Sequence, residues 1–386
     1  MIIQPANRLS DVQEYYFSKK LKEIRELNAS GKNIINLGIG SPDLAPSEET
    51  IKALTVTAES PSSHGYQSYT GIPEFRGAIS SWMNSVYGVN FNAENEILPL
   101  MGSKEGIMHI SMAFLNPGDK VLVPNPGYPT YTSVSNLVDA KIEFYDLDEN
   151  NGWNVNVEAL KQKDLSKVKL LWLNFPHMPT GAQADNEVLK ELIALAKEKE
   201  FLIINDNPYS LILNPTPQSI FNLEGAREVC LELNSLSKSH NMAGWRIGWL
   251  TGTPEYIATV LRVKSNMDSG MFLGIQKAAI QALSNSLHWH NEQNKIYAER
   301  KKLIGEIFDY LKVSYDKNSV GMFVWAKVPD EVKSVEKLVD DILYKANVFI
   351  TPGFIFGSNG GRYIRASLCA NEETIREALS RIKANV

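Results

Sequence analysis

Short apolar runs recur through the middle of the chain, each bounded by polar or turn-forming residues. They fall at 120–123 (KVLV), 141–145 (KIEFY), 169–173 (KLLWL), 201–204 (FLII), 229–233 (VCLEL) and 246–250 (RIGWL). Runs this short and this continuously apolar predict strands buried on both faces, as in a mostly parallel sheet covered by helices. Between two of them, DNEVLKELIALAKEKE (185–200) sets Leu189, Leu192, Ile193 and Ala196 at helical spacing. A crossover helix has that pattern. The expectation is an α/β large domain over 46–288.

Past residue 290 the order changes. A long amphipathic helix, NKIYAERKKLIGEIFDYLK, precedes GMFVWAKV, a helix near 334–346, VFIT, RYIRASL and a closing helix. This predicts a smaller α+β domain over 289–386, joined by an amino-terminal segment, 1–45.

Composition narrows the partners. The 386 residues are 44% hydrophobic and 22% charged, with a formal net charge of −5. That is globular composition without a basic run, so no nucleic-acid partner is expected. Cys230 and Cys369 lie far apart in apolar stretches and read as reduced core residues. The amino terminus lacks a basic start followed by an apolar run, and no stretch of about eighteen apolar residues occurs. A cytoplasmic location and no membrane partner are expected.

Ligands of open parallel sheets collect beyond the carboxyl ends of the strands, where loops expose helix amino termini. Immediately after the apolar runs stand Asn174 in NFPHMPTG, Asp206 in DNPY, which continues to Tyr209, and Ser235 with Lys238 in NSLSK. A carboxylate, an amine and a hydroxyl converging on one crevice could share a ligand. Singly, each has an ordinary structural explanation: a turn residue, a helix cap, a solvated charge.

Taken with NLGIGSPDLAPSEE, GYQSYTGIPEFRGAI, MGSKEGI, VPNPGYPTY, SLSKSHNMAGWRIGW, KSNMDSGMF and GRYIRASL, in that order over nearly the whole chain, these stretches resemble the class I/II aminotransferases, fold type I enzymes that use pyridoxal 5′-phosphate. The resemblance implies that Lys238 forms the internal aldimine and later shuttles the substrate α-proton. It implies Asp206 against the pyridine nitrogen, keeping it protonated, and Tyr209 as a donor to the phenolic oxygen O3′. Tyr128 corresponds to the aromatic that stacks on the ring.

For the phosphate, Gly102 runs into an apolar-periodic helix, so Ser103 and Lys104 would offer backbone N–H groups at its start. Ser235 adds a hydroxyl and Arg246 a planar fork, with Gly244 and Gly248 expected to let the backbone pass close by. Tyr66 matches a tyrosine reaching the phosphate from a neighbouring subunit, and NMDSG (266–270) is expected near the partner's site, so a homodimer is implied. Arg365 matches the receptor for the substrate α-carboxylate, with Asn174 and the Gly40 backbone as helpers. Arg362 reads as a surface charge. One departure stands out: Met178 occupies the position of an asparagine that bonds O3′ in the family, and a thioether cannot donate.

The reading is transfer of an amino group from an L-amino acid to a 2-oxo acid, with 2-oxoglutarate as the expected acceptor. A carbon–sulfur β-lyase of the same fold would use the same residues. A non-enzymatic sensor is a weaker alternative, because the chain begins within the enzyme pattern. The HWH stretch (288–290) does not complete a metal set, since i and i+2 residues on a helix diverge, and no metal is expected. The donor side chain stays open, no second arginine being assignable to a distal carboxylate.

Overall fold

The computed structural model describes residues 3–9 and 16–386, so part of the amino-terminal segment, 1–2 and 10–15, lies outside the described residues. Its strands are β1 (Ile35–Asn36), β2 (Ile97–Leu100), β3 (Lys120–Asn125), β4 (Lys141–Asp146), β5 (Val168–Leu173), β6 (Leu202–Asp206), β7 (Cys230–Ser235), β8 (Gly248–Thr251), β9 (Ser314–Tyr315), β10 (Phe323–Lys327), β11 (Val348–Phe349), β12 (Thr351–Pro352) and β13 (Tyr363–Ser367). The large sheet has the order β2-β8-β7-β6-β5-β3-β4, and only β8 runs against its neighbours.

The central strands are apolar without alternation because both faces are covered. Leu171, Leu173 and Ile203 enter one core, while Leu170, Trp172, Leu202 and Ile204 enter the other. Successive side chains point to opposite faces of a strand, so a strand walled on both sides has no polar position to offer. The crossover helix runs Asn186–Lys199, capped by Asp185, whose side chain accepts from the amides of Glu187 and Val188. It buries Leu189, Leu192, Ile193, Leu195 and Ala196.

Two parts of this sheet differ from the sequence pattern. β2 (ILPL) carries Pro99 and was not expected; it sits at the sheet edge, where a residue without an N–H is tolerated. The run expected as a strand over 246–250 starts only at Gly248, because Arg246 adopts a left-handed turn with φ 58. The tight return from Lys238 brings β8 back antiparallel, with Gly248 paired to Ser235. A loop rather than a crossover helix makes that reversal possible.

The smaller sheet has the order β12-β13-β10-β9 and packs beneath the helices Leu287–Tyr310, Val335–Ala346 and Glu372–Asn385. β1 pairs in parallel with β11, tying residues after the helix Tyr16–Ala29 to this half of the molecule. The boundary expected at 288/289 falls in the first turn of the long helix Leu287–Tyr310. Arg362 is not simply a surface charge: its guanidinium donates to the carbonyls of Val332 (2.7 Å), Pro329 (2.6 Å) and Val328 (3.2 Å). Cys230 is buried as expected, whereas Cys369 is only partly so. No helix among the described residues is long and apolar enough to cross a membrane.

Candidate functional site

The carboxyl ends of β5, β6 and β7 lie side by side, and the start of β8 and the end of β2 complete the same edge. This is why Asn174, Asp206, Ser235 and Lys238, distant in sequence, gather in one place. They line a cavity of about 610 Å³ together with Gly40, Ser103, Lys104, Tyr128, Tyr209, Arg246 and Arg365. Gly102 borders it from beneath Arg246, at the start of the helix Ser103–Phe114.

Asp206 is 4% exposed, and its surroundings are only half complete. Tyr131 donates to Oδ2 at 2.9 Å, while Oδ1 makes no hydrogen bond of good geometry among the described residues. Burial pushes this carboxyl up to about 7, against the Tyr131 and Ser103 hydroxyls, which favour the charged form. An unpartnered buried oxygen of this kind is completed by a cationic N–H donor. Lys238 donates from Nζ to the Gly40 carbonyl, and burial lowers its pKa, opposed by Cys369 and assisted by the cations of Arg365 and Arg246. The amine is thereby brought closer to the neutral form in which it is nucleophilic.

Arg365 is 4% exposed and sits among rings: Cζ lies 3.9 Å from the Phe323 centroid, 4.5 Å from Phe356 and 5.5 Å from Phe17. One Nη donates to the Gly38 carbonyl at 2.7 Å and the other to Met178 Sδ at 3.3 Å, while Nε has no partner among the described residues. A buried guanidinium with a weak thioether partner and a free N–H retains capacity for a bidentate anion. Asn174 joins the strand ends. Its Nδ2 donates to the Asp206 carbonyl, and its Oδ1 accepts from the Met178 amide at 2.9 Å. Tyr209 packs edge-on to Phe323 with its ring centroid 5.8 Å away, and burial raises its hydroxyl pKa.

Where the helix Ser103–Phe114 starts, Gly102 has φ 89, and a Cβ there would collide with the Arg246 guanidinium. Arg246 Nη1 donates to the Ala243 carbonyl at 2.7 Å. Gly248 also needs its bareness, since a Cβ would come within 2.8 Å of the Asn234 carbonyl oxygen and 2.9 Å of the Ser103 amide nitrogen. Gly244 does not: a Cβ there would meet open space, so the close approach expected at that position is absent. Ser235 Oγ faces Ser237 Oγ at 2.8 Å and the Ile247 carbonyl at 3.1 Å, and accepts from the Ser237 amide at 3.0 Å. Tyr66 stands apart, 91% exposed and outside this chain's own cavity.

Residues 32–382 match the family model described as aminotransferase class I and II. The chain belongs to this family. Class I and II aminotransferases use pyridoxal 5′-phosphate, and this chain is a cofactor-dependent transaminase of fold type I. It is 38% identical to an LL-diaminopimelate aminotransferase of Maridesulfovibrio salexigens over 98% of each chain. Against one of Dehalococcoides mccartyi it is 37% identical over 98% of this chain and 97% of the other. Among solved structures, apo-BacF from Bacillus subtilis superposes with a TM-score of 0.95 at 36% identity, covering 100% of this chain and 99% of that one. Like other members of the class I and II aminotransferases, then, the chain has a cavity whose walls suit the cofactor: a buried carboxylate with one open oxygen, a buried amine and a phosphate-ready helix start.

Several wall residues escaped sequence reasoning. Tyr131 is one helical turn beyond Tyr128, and its ring stacks on Trp172 at 4.9 Å. The spacing was visible, but its meaning depends on where β6 ends. Ser237, Phe17, Arg25, Phe323 and Phe356 also line the cavity. Only the tertiary fold brings the last four there.

Proposed function

We propose that Lys238 is the amine that holds pyridoxal 5′-phosphate and carries the α-proton, that Asp206 holds the proton on the pyridine nitrogen, and that Arg365 binds the α-carboxylate of amino and oxo acid substrates. The observation that carries this reading is the open, buried Oδ1 of Asp206 in the same cavity as the buried Lys238 and Arg365. When bound, the cofactor supplies an electron sink conjugated to the substrate Cα. Asp206 would stabilise the positive charge on which that sink depends, and Tyr209 would donate to O3′. Tyr128 flanks the ring, and Gly102, Ser103, Lys104, Ser235 and Arg246 form the phosphate end. Asn174 ties the two strand ends together, and Gly40 holds the lysine through its carbonyl.

We further infer a homodimer in the cytoplasm, with Tyr66 serving the neighbouring site. Tyr66, Tyr69, Met101 and Met267 are exposed apolar side chains. The 266–270 loop packs against the Gln67 and Ser68 carbonyls at Gly270, which draws Met267 toward Tyr66 and Tyr69 in one patch. A patch of this kind marks an interface rather than a solvated surface.

LL-diaminopimelate, the substrate in the names of the relatives above, heads the donors to be tested. Borohydride treatment of the holoenzyme should fix cofactor mass on Lys238, and Lys238→Ala should fold but lose transamination. A donor panel with 2-oxoglutarate should yield glutamate; pyruvate and ammonia formed without an acceptor would indicate β-elimination instead. An active monomer in dilute sedimentation would remove the shared-site reading.

A further inference from the structure

The segment Gly38–Asp43 holds two cations of the site by its backbone. The Gly38 carbonyl accepts from Arg365 at 2.7 Å, and the Gly40 carbonyl accepts from Lys238 Nζ. Residues 37–47 are neither helix nor strand, so no regular ladder keeps these carbonyls in place. They depend on anchors at the two ends. At the entry, the Leu37 amide donates to the Phe349 carbonyl at 2.9 Å and the Leu37 carbonyl accepts from the Ser367 amide at 2.7 Å. At the exit, Arg300 grips Asp43 with both terminal nitrogens, Nη1 to Oδ1 at 2.6 Å and Nη2 to Oδ2 at 2.9 Å.

Arg300 lies on the helix Leu287–Tyr310, is 2% exposed, and does not line the cavity. Its Nη1 also donates to the Leu368 carbonyl at 3.0 Å, three residues beyond Arg365. One planar fork thus joins the segment that carries the two carbonyls to the strand end that carries the arginine. The same helix face reaches toward the lysine. Gln293 Oε1 accepts from Asn241 Nδ2 at 3.0 Å, and Tyr297 donates to Asn241 Oδ1 at 3.4 Å. Asn241 stands three residues past Lys238 and donates to the Ala45 carbonyl at 3.1 Å. Positions 293, 297 and 300 follow one another on a single face, so one helix stripe locates the lysine turn, the segment and the Arg365 strand together.

We propose that Arg300 is a positioning residue: by holding Asp43 it fixes the Gly38 and Gly40 carbonyls, and through them the placement of Arg365 relative to Lys238. The proposal rests on reading Arg365 as the α-carboxylate receptor and Lys238 as the reacting amine. Glu372 supplies the contrast. It pairs with Arg300 Nε at 3.1 Å from the closing helix Glu372–Asn385, not from the segment. Losing Glu372 therefore weakens the hold on the guanidinium without releasing the carbonyls.

The test sets Asp43→Ala, Asp43→Asn and Glu372→Ala beside the wild-type holoenzyme. Stopped-flow absorbance follows each half-reaction separately, with L-glutamate as donor and 2-oxoglutarate as acceptor. Asp43→Ala should raise the half-saturating concentration of both about tenfold, with a smaller fall in the maximal rates. Asp43→Asn, which keeps an oxygen acceptor for the guanidinium, should recover part of the loss, and Glu372→Ala should leave both half-reactions near wild type. In the apoproteins, amide hydrogen exchange should quicken over 37–44 and 365–369 in Asp43→Ala but not in Glu372→Ala. Unchanged saturation or unchanged exchange in Asp43→Ala, or equal kinetic losses in Glu372→Ala, would overturn the proposal and leave Arg300 a role in folding alone. Arg365→Gln tests the underlying reading: if it saturates like wild type, the α-carboxylate assignment fails, whereas a defective Arg365→Gln beside a silent Asp43→Ala defeats only the positioning role.

Discussion

Tyr131 donates its phenolic hydrogen to Oδ2 of Asp206 at 2.9 Å from a ring stacked flat on Trp172. The tyrosine thereby holds one carboxylate oxygen and leaves the other open to the cavity. Tyr131→Phe keeps the stacking and removes the donor. Asp206 then has less support for its charged form, and a site that needs the charge binds its cofactor less well. Affinity of the apoprotein for pyridoxal 5′-phosphate should fall about tenfold, the scale of one hydrogen bond to a charged group. Fluorescence titration measures it, and unchanged affinity would show that Tyr131 only packs.

The same carboxyl makes apoprotein stability depend on pH. Burial raises the Asp206 pKa from 3.8 to about 7, so the folded chain keeps a proton that the unfolded chain has already released. Its contribution to stability is full below about pH 4 and is lost as pH rises through about 7. Asp206→Asn cannot ionise. The stability difference between that variant and the wild type, both without cofactor, should widen from pH 4 to pH 8 by up to roughly 4 kcal/mol in favour of asparagine. Denaturant melts across that range decide the matter; parallel curves would contradict it.

Most of the sheet was legible because buried strands leave no choice of residue: β5, β6 and β7 are apolar on both faces and appear as unbroken runs. The strand ends were legible for the opposite reason, since Asn174, Asp206 and Ser235 interrupt those runs abruptly. Arg246 was found through the family resemblance carried by SLSKSHNMAGWRIGW, although its left-handed turn was not, because nothing local marks an arginine for φ 58. Tyr131 and Arg300 were missed because their partners come from other elements. A tyrosine on a helix and an arginine on an amphipathic helix read as ordinary packing and solvated charge until the chain closes around them.

Met178 Sδ lies 3.3 Å from Arg365 Nη1, so the thioether fills the place of a polar side chain with a weak acceptor. Met178→Asn would offer Arg365 an amide oxygen and the cofactor's phenolic oxygen an N–H donor. Stabilising that oxygen in its charged form should make the yellow, protonated holoenzyme lose its proton at lower pH, by about one unit. Spectral titration reads the change directly. An unchanged or raised midpoint, with cofactor occupancy intact, would mean that Met178 merely packs beside an oxygen already saturated by others.

Gly102 precedes the helix Ser103–Phe114 with φ 89, and its missing Cβ is the space in which the Arg246 guanidinium lies. Gly102→Ala therefore has two separable consequences. The backbone must hold an L-residue at φ 89 and ψ 155, a region open essentially to glycine alone, which costs roughly 1–3 kcal/mol of stability. The new methyl also displaces an exposed, flexible arginine, which costs the fold little but removes the planar fork from the phosphate end. Cofactor affinity should consequently fall by about tenfold to a hundredfold, while the melting transition of the apoprotein moves only slightly. A double-mutant cycle with Arg246→Ala isolates the second effect: if Gly102→Ala acts by moving the guanidinium, its effect on affinity should largely vanish once that guanidinium is gone. Full additivity of the two losses would show instead that the alanine disturbs the backbone amides at the helix start, and that Arg246 and Gly102 serve the phosphate independently.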